Sequence, residues 1–598
     1  MLLIYNRLSI QCTQNLILKI ITPGCGVPAA GMIHFLLLSS SPLLNPLLTR
    51  MSCPLCHSAF SVPPAQKKFL DTINMPSPAL CPTCRRQERF AWRNERRLYH
   101  RKCDLTGKQI ISVYAPDSPY KVYDQHEWHT DKWDGLSFGR DFDFNRPFFD
   151  QFNELMHDAP KISVFTSQNV NSDFTNGAQQ DKNCFMIFVS DHDEECYYSY
   201  GIDTCVSCIE CINCFKSTLL IECIDCSESY NLAFSERCHN CRDSFFLSDC
   251  KSCSDCFGCF GLRNKEFHIF NEPHSKADYL QKLRELNTGS AASLEAAETA
   301  FRTRAASQQI HQYYDGNGND NVTGDHIVHC RNCIECYDSG DLEDCGYLIF
   351  SFKSKDCYDG HVVVENSELC YGTIATIGQY NTQFTFISFY SKNSQYIDHC
   401  QHCEDCFGCS GLKKQKFCIF NKQYSENEYK ALKAKIVKHM EKTGEWGQQL
   451  PAALSPFGYN ETVAQEYFPL TENNAKKQGF KWKTDTEAQT SAYQGPSPTL
   501  PDDIKDVPDD IVQKILMCET SGKPYKIIPQ ELALYRQHNL PLPRKCFDQR
   551  HVERIQRRNP RQLWKRECMK CGKELESSYA PERPEKVYCE ECYLKEVY

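Results

Sequence analysis

A unit of the form C-x2-C-x2-S-x2-L recurs in the middle of the chain as Cys211, Cys214, Ser217, Leu220, then Cys223, Cys226, Ser229, Leu232, then Cys238, Cys241, Ser244, Leu247. It returns later as Cys333, Cys336, Ser339, Leu342. Successive units begin 12 or 15 residues apart, always a multiple of three. A small or apolar residue at every third position suits neither a helix of period 3.6 nor a strand of period 2. It suits short segments bent at regular corners, each coil stacked on the last by backbone hydrogen bonds, with Cys, Ser and Leu in a narrow core.

The repeat forms two halves. Aromatic-rich rungs with cysteines 12 apart flank it, Cys184 and Cys196 in one half and Cys345 and Cys357 in the other. Both halves end in CFGC-x-GL and then in Ser275 or Ser425, followed three residues on by Asp278 or Glu428. That pattern starts a capped helix. A helix laid across an open end of the stack blocks edge-to-edge association.

Thirty-eight cysteines in 598 residues, many spaced as C-x2-C, exclude a small secreted disulfide scaffold. The run Cys205, Cys208, Cys211, Cys214 evokes iron–sulfur ligation but lacks the closing x3-C-P of ferredoxin spacing. Free thiols packing a core are the favoured reading, with ladder disulfides, zinc and clusters as alternatives.

The two ends of the organised chain are one module, duplicated. Residues 53–128 align without a gap on 518–593 at an offset of 465, about a third identical. Each copy holds two candidate zinc ribbons joined by a basic segment. The first ribbon is intact only in the early copy, as Cys53, Cys56, Cys81 and Cys84; its late equivalents are Cys518, Ser521, Cys546 and Gln549. The second is intact only in the late copy, as Cys568, Cys571, Cys589 and Cys592; its early equivalents are Cys103, Thr106, Asp124 and Glu127. Paired C-x2-C turns close a tetrahedral four-sulfur shell with no open position, which is structural rather than catalytic. Two zinc ions are expected, with rubredoxin-like iron as chemical competitor and paired buried thiol turns as the metal-free reading. Cys103, Asp124, His126 and His129 form a possible substitute site in the early copy.

Arginine joins the ribbons. Arg85, Arg89, Arg93 and Arg101 recur as Arg550, Arg554, Arg558 and Arg566, with much of the set on one helical face. Bidentate phosphate contacts and base stacking require arginine, so these eight residues are candidate RNA or ribonucleoprotein contacts. The alternative is a strut whose arginines pair with carboxylates.

Charge is polarised. The net charge is -9, yet lysine and arginine exceed aspartate and glutamate by 3 in 1–50, by 5 in 51–128 and by 5 in 516–598, leaving -22 for the middle. A polyanion is therefore expected to meet only the ends. Residues 1–50 contain no acidic residue and no apolar run near the ~20 residues of a membrane span. They are expected to be a start-site extension ahead of Met51, which opens MSCPLC, and the protein is expected to be cytoplasmic.

The fold class expected is a mixed α+β multidomain protein in which duplicated tandem zinc-ribbon modules flank a cysteine-rich β-solenoid in two halves, each closed by a helix. Its parts are the extension 1–50, module 51–130, first half 131–274, capping region 275–310, second half 311–424, capping helix and Pro-rich acidic linker 425–515, and module 516–598. No Walker, G-x-S-x-G, H-E-x-x-H or G-x-G-x-x-G motif occurs, so a non-enzymatic role is expected.

The combination of CPTCRRQERFAWRNERRLYHRKCDLTGK, SPYKVYDQHEW, GRDFDFNRPFF, CFGC-x-GL and YAPERPEKVYCEECYLKEVY resembles an uncharacterised family of cysteine-rich zinc-ribbon proteins of uncultured bacteria with very small genomes. The resemblance covers nearly everything after Met51 and implies no particular activity. Two functional readings follow: a zinc-binding scaffold whose ends contact RNA or a ribonucleoprotein, and a structural protein that docks another protein on its acidic middle. A thiol redox or metal-buffer protein is a further alternative and requires exposed, low-pKa cysteines. No membrane and no small-molecule substrate is implied.

Overall fold

Backbone hydrogen bonds pair the middle of the chain with itself, in parallel, at an offset of 12 residues. One column runs Val170, Lys182, Glu194, Val206, Thr218 and continues through Tyr230, Arg242, Ser254 and Glu266. A second ladder runs Ile334, Gly346, Tyr358, Tyr371, Gln383, Gln395, Phe407, Ile419, with a single 13-residue step between Tyr358 and Tyr371. The 15-residue spacing in the sequence is thus one 12-residue turn plus one corner. Cys241, for example, stacks on Ser229 and not on Cys226.

This computed structural model describes residues 50–484, Gly495 and 497–597, which form one compact unit. The expectation for 1–50 falls outside the described residues apart from Arg50. The class is mixed, with twelve α-helices and many parallel-strand sheets and no closed barrel among the described residues. Among the same residues no helix is long and apolar enough to cross a membrane.

Corners explain the triplet. A residue with left-handed backbone recurs every third position, for example Glu222, Asp225, Glu228 and Asn231, near φ +51 to +54. Asn and Asp tolerate this region best, and several stack their side chains from turn to turn. Asn321 donates to Asn332 at 2.9 Å, and Asn332 donates to Asp344 at 2.9 Å.

The inward positions have their own requirement. Their amides are buried away from water and need an acceptor on the neighbouring turn. Ser217 Oγ accepts the Ser229 amide at 3.1 Å and donates to the Phe215 carbonyl at 2.9 Å. Thiols act as donors: Cys208 Sγ contacts the carbonyls of Val206 at 3.5 Å and Ser217 at 3.7 Å. Leu220, Leu232 and Leu247 fill the remaining volume among these sulfurs. Every described cysteine except Cys56 and Cys571 is buried, and all are free thiols, so no ladder disulfide forms among them.

Both ladders close in the same way. After the last turn the chain folds back antiparallel at Ile269–Glu272 and at Ile419–Lys422. An asparagine side chain then substitutes for the missing turn. Asn271 exchanges two hydrogen bonds with the Phe260 backbone at 2.9 Å, and Asn421 does the same with Ser410 at 2.9 and 2.7 Å. Helices Lys276–Leu286 and Glu426–Thr443 follow, N-capped by Ser275 and Ser425, the latter with a full capping box.

The terminal copies share their elements at the same offset of 465. Hairpin Tyr99–Lys102/Gln109–Ser112 matches Trp564–Glu567/Glu574–Ser577, and helix Pro64–Thr72 matches Pro529–Gln537. Each copy touches both ladders. Val122 pairs in parallel with Lys161, just ahead of the first ladder, while helix Pro82–Phe90 reaches Asp359 in the second. Val587 pairs with His311, just ahead of the second ladder, while helix Phe547–Arg557 reaches Glu210 in the first. Residues 445–484, which composition reads as linker, are docked on the early copy: Ser455 donates to the Ala91 carbonyl at 2.7 Å, the Val463 amide donates to Arg93, and Phe457 and Tyr459 are buried.

Candidate metal centres and arginine clamps

Two sets of four cysteines converge with their sulfurs all within 4.8 Å of one another: Cys53, Cys56, Cys81, Cys84 and Cys568, Cys571, Cys589, Cys592. In each, a hairpin supplies the first pair, Met51–Ser52/Ala59–Phe60 for Cys53 and Cys56 and Trp564–Glu567/Glu574–Ser577 for Cys568 and Cys571. The second comes from a helix start, and the Cys84 amide donates to Cys81 Sγ at 3.5 Å. A tetrahedral four-sulfur shell with Zn–S of ~2.3 Å has sulfurs roughly 3.8 Å apart. Cys56 and Cys81 are 3.6 Å apart and Cys571 and Cys589 3.8 Å.

The first thiol of each set is prepared for ligation. Burial opposes the thiolate of Cys53, but the amides of Cys81, Cys56 and Leu55 outweigh it and bring the thiol down to about 6. Burial likewise opposes Cys568, and the amides of Cys589, Cys571 and Lys570 bring it to about 6. Burial raises Cys84 and Cys592, their partner sulfurs adding to the rise. Four thiols of which some ionise readily and the rest repel a second anion suit a divalent cation.

The positions equivalent to the two cysteine sets in the other copy keep the turn without the ligands. Ser521 Oγ lies 3.7 Å from Cys546 Sγ, where Cys56 contacts Cys81 in the intact copy. Cys103 accepts the Asp124 amide at 3.3 Å. The substitute set Cys103, Asp124, His126 and His129 does not converge, because the Asp124 carboxylate turns to cap the helix it starts, accepting the His126 amide at 2.9 Å. The inward cysteines of the ladders contribute no convergent set among the described residues either.

A third convergent group, Asp225, His326 and Asp338, escapes sequence reasoning because its members lie in different ladders. Arg558 occupies it. Its guanidinium donates twice to Asp225 at 3.0 Å and once to Asp338, and Arg561 donates to Asp338 at 2.8 Å. Burial opposes ionisation of Asp338, but Arg558 and Arg561 outweigh it and hold the carboxyl below its usual range.

The structure turns the other sequence-predicted arginines inward as well. Arg85 and Arg89 meet Asp359 at 2.9 and 3.0 Å. Arg550 and Arg554 grip Glu210, whose side chain is fully buried. Arg93 pairs with Glu95, and Arg101 with Asp104 at 2.9 Å. Arg566 donates to the Tyr579 carbonyl at 3.3 Å. A phosphate would have to displace a buried carboxylate at most of these positions. The acidic partners Asp359, Glu210, Asp225 and Asp338 stand at corner positions of the ladders. Only the contrast between an acidic middle and basic ends signals them in the sequence.

No protein-family model matches the chain, and no curated protein is significantly similar to it.

Proposed function

We propose that the protein is a non-enzymatic scaffold: a β-solenoid in two halves, clamped by two zinc-ribbon modules that each hold one zinc ion. The observation that carries the reading is the convergence of two closed four-cysteine sets, each within a module that sends two arginines, Arg85 and Arg89 or Arg550 and Arg554, onto a buried carboxylate of the ladder farther along the chain from it. A closed four-sulfur shell leaves no position for substrate, so the metal supplies folding energy and rigidity, not chemistry. Zinc suits that role because it has no redox chemistry of its own.

With the arginines engaged inside the molecule, the protein-docking alternative gains over RNA contact. The surface offered to a partner is then the outer face of the ladders. Two measurements test this. Elemental analysis of full-length protein should give two zinc per chain without visible charge-transfer absorption, and one metal or none would overturn the clamp. Full-length protein should show no salt-dependent RNA binding at low ionic strength. Binding that weakens when Arg93 and Arg566 are reversed in charge would reinstate the nucleic-acid reading.

A further inference from the structure

Among the ion pairs of the described residues, only Lys161 with Asp398 joins a lysine and a carboxylate that are both buried, their side chains 2% and 8% exposed. Elsewhere the buried clamps use arginine, as at Arg89 and Arg554. The difference is chemical. A guanidinium keeps its proton, whereas a lysine that gives one up becomes a nucleophile.

Lys161 opens the short strand that pairs with Val122 of the early copy, and Asp398 closes the strand Gln395–Asp398 of the second ladder. Lys161 Nζ donates to Asp398 Oδ2 and, at 3.0 Å, to Ser410 Oγ, whose own proton goes to the same Oδ2 at 2.8 Å. His399 Nδ1 stands 2.7 Å from the other oxygen, Oδ1. All four side chains are buried. Burial opposes ionisation of Asp398, but His399 and Lys161 outweigh it and hold the carboxyl below its usual range, so the pair stands as ammonium and carboxylate. Two buried charges carry a desolvation cost that a neutral amide does not.

We propose that Lys161 and Asp398 condense into an intramolecular isopeptide bond once the fold has brought them together. Nζ attacks Cγ, so that the Nζ–Cγ bond forms and the Cγ–Oδ2 bond breaks. The ammonium supplies both protons of the departing water, one passing directly to Oδ2 and one through the Ser410 hydroxyl. Its third proton stays on the amide nitrogen. Oδ1 remains as the amide oxygen, and the His399 Nδ1–H faces the charge that gathers on it during attack. No oxidant and no co-reactant is needed. Contact between the partners makes the step unimolecular, and a cavity of about 20 Å³ lined by Lys161, Asp398 and His399 has room for the one water released. The late copy has no counterpart, because His311 stands in its pairing where Lys161 stands in the early one. The proposal does not depend on the scaffold reading.

Mass spectrometry of the full-length protein, denatured, reduced and stripped of metal, tests it. The intact mass is expected below the sequence mass by one water, and a tryptic digest should contain the peptide bearing Lys161 joined to the peptide bearing Asp398. Full sequence mass, or a digest in which both peptides run unlinked, overturns the proposal. Lys161→Arg keeps the cation but removes the nucleophile, so its mass should equal that of its own sequence. Loss of a water in that variant also overturns the bond. Should the variant fail to fold, the wild-type digest decides alone.

Discussion

Arg89 and Asp359, 270 residues apart, form an ion pair at 3.0 Å in which each side chain is only 1% exposed. The pair joins the early terminal copy to the ladder that lies nearer the other end of the chain. Its counterpart, Arg554 with Glu210, makes the reverse connection. Neither end can leave without stripping a buried carboxylate of its cations.

Asp359→Asn should therefore destabilise the protein by about 3–5 kcal/mol, because two arginines lose their principal anion in a buried site. Chemical denaturation midpoints check this. Glu343→Gln, which removes a solvent-exposed partner of Arg331, should cost at most about 1 kcal/mol. Equal effects for the two variants would mean that the clamp carries no special weight.

Loss of a metal ligand should be local. Cys56→Ser and Cys571→Ser are each expected to remove one equivalent of metal and to expose their own copy to proteolysis, leaving the other equivalent bound. Metal content measured beside limited proteolysis distinguishes this from global collapse.

Thiol labelling should separate two populations. The inward cysteines of the ladders, such as Cys226 and Cys241, are buried and should resist alkylation until the protein unfolds. Cys56 and Cys571 are exposed and should react first once a chelator has removed the metal. Rapid native labelling of most central cysteines would contradict the packed core.

Ser235 tests the inward position directly. Its hydroxyl accepts the Leu247 amide at 3.1 Å and donates to the Ala233 carbonyl at 3.0 Å. Ser235→Ala leaves a buried amide unpaired, at a cost of about 1–3 kcal/mol, read from denaturation midpoints. Ser235→Cys should be milder, since sulfur fills that role at Cys184, whose Sγ accepts the Cys196 amide at 3.4 Å.

Stability should fall as pH rises through a window set by two inward carboxyls. Burial raises Asp181 to about 7, and burial with neighbouring thiols raises Asp193 well above the carboxylate range. An acid whose folded pKa exceeds its unfolded value of ~3.9 binds more protons when folded. Its stabilising contribution is complete below pH ~4 and declines as pH approaches 7. Asp181→Asn should flatten Tm between pH 5 and 8, and an unchanged slope would show that Asp181 is ionised throughout.

Local rules were legible in the order of residues alone. A triplet of small or apolar residues and regular corners are imposed by backbone hydrogen bonding within a narrow core, so they show in the succession of Cys, Ser and Leu, whereas the left-handed backbone of the corners and the 12-residue turn beneath the spacings of 12 and 15 came from the ladders themselves. The duplication at offset 465, the two surviving four-cysteine sets and the helix caps at Ser275 and Ser425 are likewise local, each defined within a short stretch of chain. Which charges meet was left to the assembled fold. Arg89 could have faced phosphate or carboxylate, because a guanidinium binds both in the same fork. The choice fell to Asp359, brought beneath it by a ladder whose register accumulates over many turns. The substitute set at Cys103 failed for a related reason: whether Asp124 ligates a metal or caps a helix depends on where the chain turns, not on which residues surround it in sequence.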